Sequence, residues 1–500
     1  MTSTESILPN TEGFERRILI KPEGFREYDA RWLFPQQINL RGTLQLGMGI
    51  GTLLHELHTV PPAIVVGHDY RSYSATIKHA LTIGLMATGC QVHDIGLALS
   101  PAAYFAQFEL ECPAVAMVTA SHNENGWTGV KIGAERPLTF GPELMSRLKD
   151  IVLSGHVDKR PGGTYNYFEN IKDRYIADLT KDGKLKKRLR AVVACGNGTA
   201  GAYAPQALRE IGCEVIEMDC NLDYTFPRYN PNPEDMAMLH ALAERVIAEK
   251  ADIGFAFDGD GDRCGVIDNT GHEIFADKIG VLLARDLSAQ HPNAKFVVDV
   301  KSTGLYHTDP VLKEQGAETD YWKTGHSYIK RRVNELKALA GFEKSGHFFL
   351  NTPIGRGYDD GILSAIQVCR MLDRAGKPLA VLRKSLAQTW GSPTMSPYCP
   401  DDKKYGVVDA VTKYYTDKKA KKEQVLGQEI AEITTVNGIR VTLADGTWGL
   451  VRASSNKPSL VVVVESPVSA VKMHAMFHEI ESVLTRFPDV GEYDQKLKAA

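Results

Sequence analysis

Leu85-Met-Ala-Thr-Gly89-Cys-Gln-Val92 is the first of three copies of one short pattern. Leu208-Arg-Glu-Ile-Gly212-Cys-Glu-Val215 and Leu312-Lys-Glu-Gln-Gly316-Ala-Glu-Thr319 repeat it, so the common form is L-x-x-x-G-[CA]-[QE]-[VT]. Each copy reads as a helix end, a glycine stop and an entering strand. A β-rich run precedes each copy, at 63–67, 191–194 and 295–300. Strand, helix and strand make a β-α-β unit, so each copy seeds a mostly parallel sheet. A further apolar run follows each copy, at 114–118, 253–257 and 339–342, and each delivers a polar loop. The loops are Thr119-Ala-Ser121-His-Asn123, Asp258-Gly-Asp260-Gly-Asp262-Arg263 and Glu343-Lys-Ser345-Gly-His347. The pattern predicts three related α/β modules with mixed sheets, at about 1–165, 166–275 and 276–385. From about 386 the pattern changes to a Pro-bearing stretch, a helix-like segment from Val407, and strands alternating around Asp445-Gly446, a hairpin turn signal. Residues 386–500 are therefore expected to form a distinct α+β domain with an antiparallel sheet.

The composition is that of a globular protein: 500 residues, 43% hydrophobic and 24% charged. A net charge of −3 gives no electrostatic case for nucleic acid or an anionic membrane. Short basic runs at 184–190 and 418–422 lack interleaved aromatics and read as solvated helix faces. The eight cysteines form no C-x-x-C pair, which argues against a zinc site or a disulfide framework and fits a reducing compartment. The N-terminal residues lack the charged-then-apolar order of a signal peptide, and no apolar run approaches the roughly 20 residues of a membrane span. A cytoplasmic protein is expected.

The richest chemistry lies in Asp258-Gly259-Asp260-Gly261-Asp262-Arg263. Three carboxylates this close repel, so one protonates unless a cation sits among them. The alternating glycines let the backbone bend until the side chains converge. An all-oxygen set suits a hard cation, Mg²⁺ or Ca²⁺. An EF-hand is excluded, because Arg263 stands where its glycine belongs and Asn269 where its bidentate Glu belongs. The loop follows a short buried strand, which is where open α/β sheets place their ligands. An acidic solvated turn is the plain alternative.

The other loops are individually less specific. Ser121 is either a helix cap or a nucleophile. The G-x-S-x-G elbow of hydrolases is absent, and a serine near a magnesium-type site suggests phosphoryl transfer. Lys131 offers a cation, or is a surface lysine. Glu343-Lys344-Ser345-Gly346-His347 can bind vicinal sugar hydroxyls or can be an ordinary strand-to-helix loop. Arg452-Ala-Ser454-Ser455-Asn456-Lys457-Pro458 is dense in donors for a phosphate dianion, or is a solvated hairpin. No P-loop and no dinucleotide fingerprint occurs; Gly47-Met-Gly49-Ile-Gly51 has the wrong spacing.

Together and in this order, the loops resemble those of the α-D-phosphohexomutases, most closely the bacterial phosphomannomutase/phosphoglucomutase branch. The family's T-A-S-H-N-P is Thr119 to Asn123 followed by Glu124. Its D-G-D-G-D-R is intact, and its G-E-x-S-G-H runs from Phe342 to His347, with Phe342 where glycine is usual. Its R-x-S-N-T-x-P is Arg452 to Pro458, with Ser455 and Asn456 permuting the middle. Tyr28-Asp-Ala-Arg31-Trp32 is similar to the family's Y-D-I-R-G, and Gly325-His326 matches a further motif.

The resemblance implies four domains around a central cleft and interconversion of hexose 1-phosphate and 6-phosphate, of mannose, glucose or both. It implies that phosphate carried on Ser121 passes through a 1,6-bisphosphate intermediate. It implies Mg²⁺ held by Ser121, Asp258, Asp260 and Asp262, with hexose 1,6-bisphosphate as activator. Arg263 and Lys131 would flank the transferring group. Arg31, Lys131 or His326 would assist proton transfer, with His122 beside the serine. Glu343 and Ser345 would grip the sugar's 3- and 4-hydroxyls, with Tyr28, Lys323 and His347 also toward substrate. Arg452, Ser454, Ser455 and Asn456 would hold the phosphate that is not reacting. Lys344 stands where glucosamine mutases of the family typically carry Gln. Partners are limited to hexose phosphates, with no nucleic acid or membrane, and the protein is expected as a monomer or homodimer. The alternatives are a glucosamine or N-acetylglucosamine phosphate mutase, a metal-dependent phosphatase, and a non-catalytic sugar-phosphate sensor.

Overall fold

The computed structural model describes residues 9, 11–58, 62–455 and 457–497. They divide into two compact units, one of residues up to Ala276 together with Ser345–Ala380, the other of Asp277–Lys344 together with Val381 onward.

The first unit holds two complete sheets. In one, β1 (Ala30–Leu33), β2 (Ala63–His68), β3 (Gln91–Leu97), β4 (Ala114–Val118), β5 (Trp127–Gly133) and β6 (Thr164–Tyr167) lie in the order β1-β5-β4-β2-β3-β6. The other contains β7 (Arg190–Ala194), β8 (Glu214–Met218), β9 (Ile253–Phe257), β10 (Cys264–Asp268) and β11 (Glu273–Ile274), ordered β11-β10-β9-β7-β8. The second unit repeats the start of this plan. There β12 (Lys295–Asp299) pairs in parallel with β13 (Glu318–Trp322) on one side and with β14 (Ala340–Phe342) on the other. The first unit also contains the hairpin of β15 (Phe348–Leu350) and β16 (Tyr358–Asp359).

The three modules are thus built alike. The first strand lies between the second and the third, all parallel: Ile64 faces Val92 and Ala114, Ala191 faces Val215 and Ile253, and Phe296 faces Thr319 and Ala340. The three glycines of the repeated pattern, Gly89, Gly212 and Gly316, have φ of +80°, +97° and +70°. Each ends its helix in the left-handed region, where a Cβ is disfavoured. The chain leaves the first strand to one side for the second and reaches the third on the other side. The crevice at the C-terminal ends of the first and third strands is the topological switch point at which such sheets bind ligands. β4, β9 and β14 run into the three polar loops singled out in the sequence. Val192, Val193, Phe255 and Phe257 are wholly buried. Side chains of this kind contribute roughly 1.5–3 kcal/mol each, which makes the strand ends a stiff platform.

The C-terminal domain is antiparallel, as expected. β17 (Trp390–Gly391), β18 (Ile430–Thr434), β19 (Ile439–Leu443), β20 (Trp448–Ala453) and β21 (Leu460–Ser466) are ordered β17-β21-β20-β19-β18. Gly446, with φ +83°, makes the turn of the predicted hairpin, and the Asp445 carboxylate accepts from Thr447 N at 2.9 Å. Helices Lys404–Ala420 and Ala470–Leu484 share a core with this sheet that includes Val411, Val462, Val464 and Met476. On the sheet's other face Trp448, Leu450, Val461 and Val463 pack with Val300. Among the described residues no helix is long and apolar enough to cross a membrane.

Candidate active site

In the first unit the switch points of two modules meet. Ser121 begins the turn after β4 with φ +51° and is 2% exposed. Its Oγ donates to Asp258 Oδ2 at 3.0 Å and lies 3.2 Å from His122 Nδ1. The loop after β9 coils tightly because Asp258 Oδ1 accepts from the backbone N–H groups of Asp262 and Arg263, at 3.1 and 3.2 Å. Gly261, at φ +74°, makes that coil possible. Asp258, Asp260 and Asp262 are all fully buried, with one oxygen of each within 4.8 Å of the others.

At that separation two carboxylates repel by roughly 3–4 kcal/mol even at an effective dielectric near 20. Two buried cations offset this repulsion. Lys131, on β5, donates to Asp260 Oδ2 at 2.7 Å and also to Asp262. The Ser100 hydroxyl adds a bond to Asp260 Oδ2 at 2.6 Å. Burial disfavours the Asp260 anion, but Lys131 and Ser100 outweigh it and hold this carboxyl far below the usual range. At Asp258 burial, with Asp262 and Asp260 nearby, outweighs Arg263, whose Nε lies 3.6 Å from Oδ2, and pushes the carboxyl well above that range. Lys131 is held well above the usual lysine value: burial opposes the charge, but Asp260 and Asp262 prevail. Arg263 bridges the loops, with Nη2 on His122 Nδ1 at 2.5 Å and Nε on His347 Nε2 at 3.2 Å. Burial drives His347 down to about 3, so it is a neutral acceptor.

Two atoms test the metal reading. Asp260 Oδ1 and Asp262 Oδ1 are buried without a hydrogen-bond partner among the described residues. Buried carboxylate oxygens are rarely left so. With Asp258 they form an all-oxygen set that fits a hard divalent cation.

Arg31 stands at the edge of this cluster, with Nε on Asp29 Oδ2 at 2.8 Å and Nη1 on Asn123 Oδ1 at 2.6 Å. Tyr28, just before it, is buried. Ser345, in the first unit, is half-buried. Ser121, His122, Lys131, Arg31, Arg263, His347 and the three aspartates therefore come together as one polar cluster, buried except for half-buried Arg31 and His122.

The second unit carries the remaining predicted residues in two places. Glu343 is buried, and its Oε1 accepts from Gly325 N at 2.6 Å, next to His326 at the start of helix His326–Glu335. Lys323 lies 5.5 Å over the Tyr328 ring. Lys344 N donates to Asp299 Oδ1 at 3.2 Å, and its ammonium to Asp277 Oδ2 at 3.3 Å. Separately, Arg452, the penultimate residue of β20, has Nη1 on the Ala453 carbonyl at 2.7 Å and Nε without a partner among the described residues. Ser454 Oγ accepts from Lys457 N at 3.2 Å, and Ser455 is half-buried. Asn456 lies outside the described residues.

The sequence reading missed several supports. Lys404 is buried and donates to the Ser454 and Lys457 carbonyls at 2.6 and 3.2 Å, so it frames the Arg452 loop. Ser100 braces Asp260. Asp69 and Arg71, just after β2, contact the serine loop. Their signal was positional only: polar residues directly after the first strand of a repeated module.

Family comparisons cover the chain in order. Residues 22–157 match the phosphoglucomutase/phosphomannomutase alpha/beta/alpha domain I, 166–271 domain II, 275–390 domain III and 399–483 the C-terminal domain. The chain is 35% identical over 452 residues to a phosphomannomutase/phosphoglucomutase of Pseudomonas putida, covering 89% of this chain and 92% of that protein. It is 30% identical over 475 residues to a phosphoglucomutase of Neisseria meningitidis serogroup A, covering 95% and 97%. A solved phosphoglucomutase/phosphomannomutase family protein from Burkholderia thailandensis is 28% identical with a TM-score of 0.83, over 94% of this chain and 98% of that one.

Proposed function

This chain belongs to the phosphoglucomutase/phosphomannomutase family and is a hexose phosphate mutase, and we propose that Ser121 is the residue that carries its phosphoryl group. The observation that supports this most is the contact of Ser121 Oγ with Asp258 Oδ2 at 3.0 Å, inside a buried cluster of three carboxylates and two cations. A hydroxyl placed there can accept a phosphoryl group where its charge is compensated and water is kept out.

Asp258 Oδ2, Asp260 Oδ1 and Asp262 Oδ1 would hold Mg²⁺ beside Ser121. When bound, the ion neutralises charge on phosphoryl oxygens. In the forward half-reaction a sugar hydroxyl attacks the phosphoserine: the Ser121 Oγ–P bond breaks as the sugar O–P bond forms, and the proton given up by the sugar hydroxyl is balanced by the one that Ser121 Oγ takes up. The return half-reaction phosphorylates Ser121 from the other end of the 1,6-bisphosphate. Lys131, which donates to Asp260 and Asp262, is placed for charge compensation. Arg263 can reach the reacting group through its guanidinium while His347 and His122 orient it. Arg31, Lys131 and His326 are the candidates for assisting proton transfer. Tyr28, Lys323, Glu343, Ser345 and His347 are proposed for the sugar, and Arg452, Ser454, Ser455 and Asn456 for the distant phosphate. A cytoplasmic setting fits eight cysteines that are all free thiols.

The test is ³¹P NMR with Mg²⁺ and a trace of glucose 1,6-bisphosphate, on mannose, glucose and glucosamine 1-phosphates in parallel. The 1-phosphate signal should become a 6-phosphate signal, and Ser121→Ala should abolish it. Relative rates name the sugar. Accumulation of inorganic phosphate, or turnover independent of Ser121, would overturn the carrier assignment.

A further inference from the structure

Ser121 adopts a left-handed backbone, with φ +51°, which is unfavourable for a residue with a Cβ and persists only when the surroundings impose it. The surroundings that impose it come from the turn after β2. Asp69 is buried and receives four donors: the Arg71 guanidinium, Ser74 Oγ at 2.6 Å, Thr119 Oγ1 at 2.9 Å and Ala120 N at 3.3 Å. Thr119 Oγ1, with its proton committed to Asp69, is left as an acceptor, and Ser121 N donates to it at 2.9 Å. Arg71 Nη2 holds the other side of the same residue, donating to the Ser121 carbonyl at 3.0 Å and the Asn123 carbonyl at 2.7 Å. Both backbone polar groups of Ser121 are thus fixed by one buried ion pair, on an element that carries none of the loops singled out in the sequence.

We infer that Asp69 and Arg71 are positioning residues for phosphoryl transfer, acting through Thr119 and the Ser121 carbonyl to aim Ser121 Oγ at the three-aspartate loop. The inference rests on Ser121 as the phosphoryl carrier. Neither residue contacts that loop through a hydrogen bond or ion pair among the described residues. Their effect is on geometry: a misplacement of about 1 Å at a reacting atom costs on the order of 100-fold in rate.

The experiment compares wild type, Asp69→Asn, Thr119→Val and Arg71→Ala as full-length proteins with Mg²⁺. Hexose 1,6-bisphosphate is the phosphoryl donor, and phosphate on Ser121 is followed by quenched intact-mass measurement alongside steady-state kcat and KM. Thr119→Val is close to isosteric and keeps the Asp69–Arg71 pair, so it reads the relay even where Asp69→Asn fails to fold. The expected result is a fall of about 100-fold in kcat and in the single-turnover rate of Ser121 phosphorylation, with KM changed less than about threefold. Added guanidinium should restore part of the rate of Arg71→Ala. A purely structural role is indicated, and the inference overturned, if kcat per folded molecule equals wild type while only thermal stability falls. If wild type itself acquires no phosphate on Ser121, the carrier assignment fails first and takes this inference with it. Wild-type phosphorylation with unimpaired variants sinks the positioning role alone.

Discussion

Gly259 faces the carbonyl of Ser121 so closely that a Cβ on it would lie 2.4 Å from that oxygen. The contact joins the serine loop to the three-aspartate loop, and it is made by backbone on both sides. Gly259→Ala should therefore act as a wedge. Overpacking of this kind costs about 1–3 kcal/mol, and the displaced serine should lower kcat by roughly ten- to hundred-fold. Steady-state assay and thermal melting check both. An alanine variant with wild-type kcat would show that the two loops need not touch during turnover.

Lys131 lies between Asp260 and Asp262, and removing one charge from a buried pair costs about 3–5 kcal/mol. Lys131→Met should lose stability of that order in EDTA. Saturating Mg²⁺ should narrow the gap to wild type, since a divalent cation relieves the same repulsion. Urea unfolding under the two conditions measures it. An equal deficit with and without Mg²⁺ would separate the lysine from the loop's charge balance.

Asp360 gives a pH dependence of known sign. Burial pushes its carboxyl up to about 7, although it accepts from Leu363 N at 2.9 Å and from Tyr175 Oη at 2.9 Å. The unfolded chain gives up this proton near pH 4 and the folded chain keeps it to about 7. The contribution to stability is therefore fully present below about pH 4, declines as pH rises to about 7, and is flat above. Asp360→Asn keeps the helix cap and removes the titration. Its melting temperature should vary less between pH 5 and 8, with the variant more stable at pH 8 by up to roughly 3–4 kcal/mol. A decline of the same steepness in the variant would assign the dependence to another group.

Arg440 in the second unit is stacked 3.7 Å from the Trp448 ring centre and 4.7 Å from that of Tyr321, and donates to the Val300 and Ser302 carbonyls at 3.0 and 2.8 Å. A lysine has neither the plane nor the fork. Arg440→Lys should cost about 2 kcal/mol, read as a lower urea midpoint by tryptophan fluorescence. An unchanged midpoint would mean that the stacking contributes nothing to stability.

The parts of this architecture that the sequence announced are those written in contiguous residues. Gly89, Gly212 and Gly316 mark three identical helix stops because no other residue accepts that backbone easily, and Asp258 to Arg263 states its charge problem within six positions. Partnerships across long separations were not announced. Nothing in a single chain says which of its 58 basic residues lies against Asp260, or that Lys404 props a loop 50 residues later. Asp69 and Arg71 read as ordinary polar residues because their partners, Thr119 and Ser121, are set by the parallel pairing of β2 with β4, which no local pattern encodes.

The same anchor occurs twice. Asp69 follows β2 and takes the backbone N–H of Ala120; Asp299 ends β12 and takes that of Lys344 at 3.2 Å, with Ser302 Oγ at 2.5 Å and Thr324 Oγ1 at 3.2 Å on the same carboxylate. In one module the anchor holds the loop of Ser121, in the other a loop with a carboxylate and an ammonium. Duplication of an ancestral module would have delivered loops already aimed by the scaffold. Divergence then had only to rewrite a handful of loop residues, so such a chain can acquire a new chemical task without first learning a new fold.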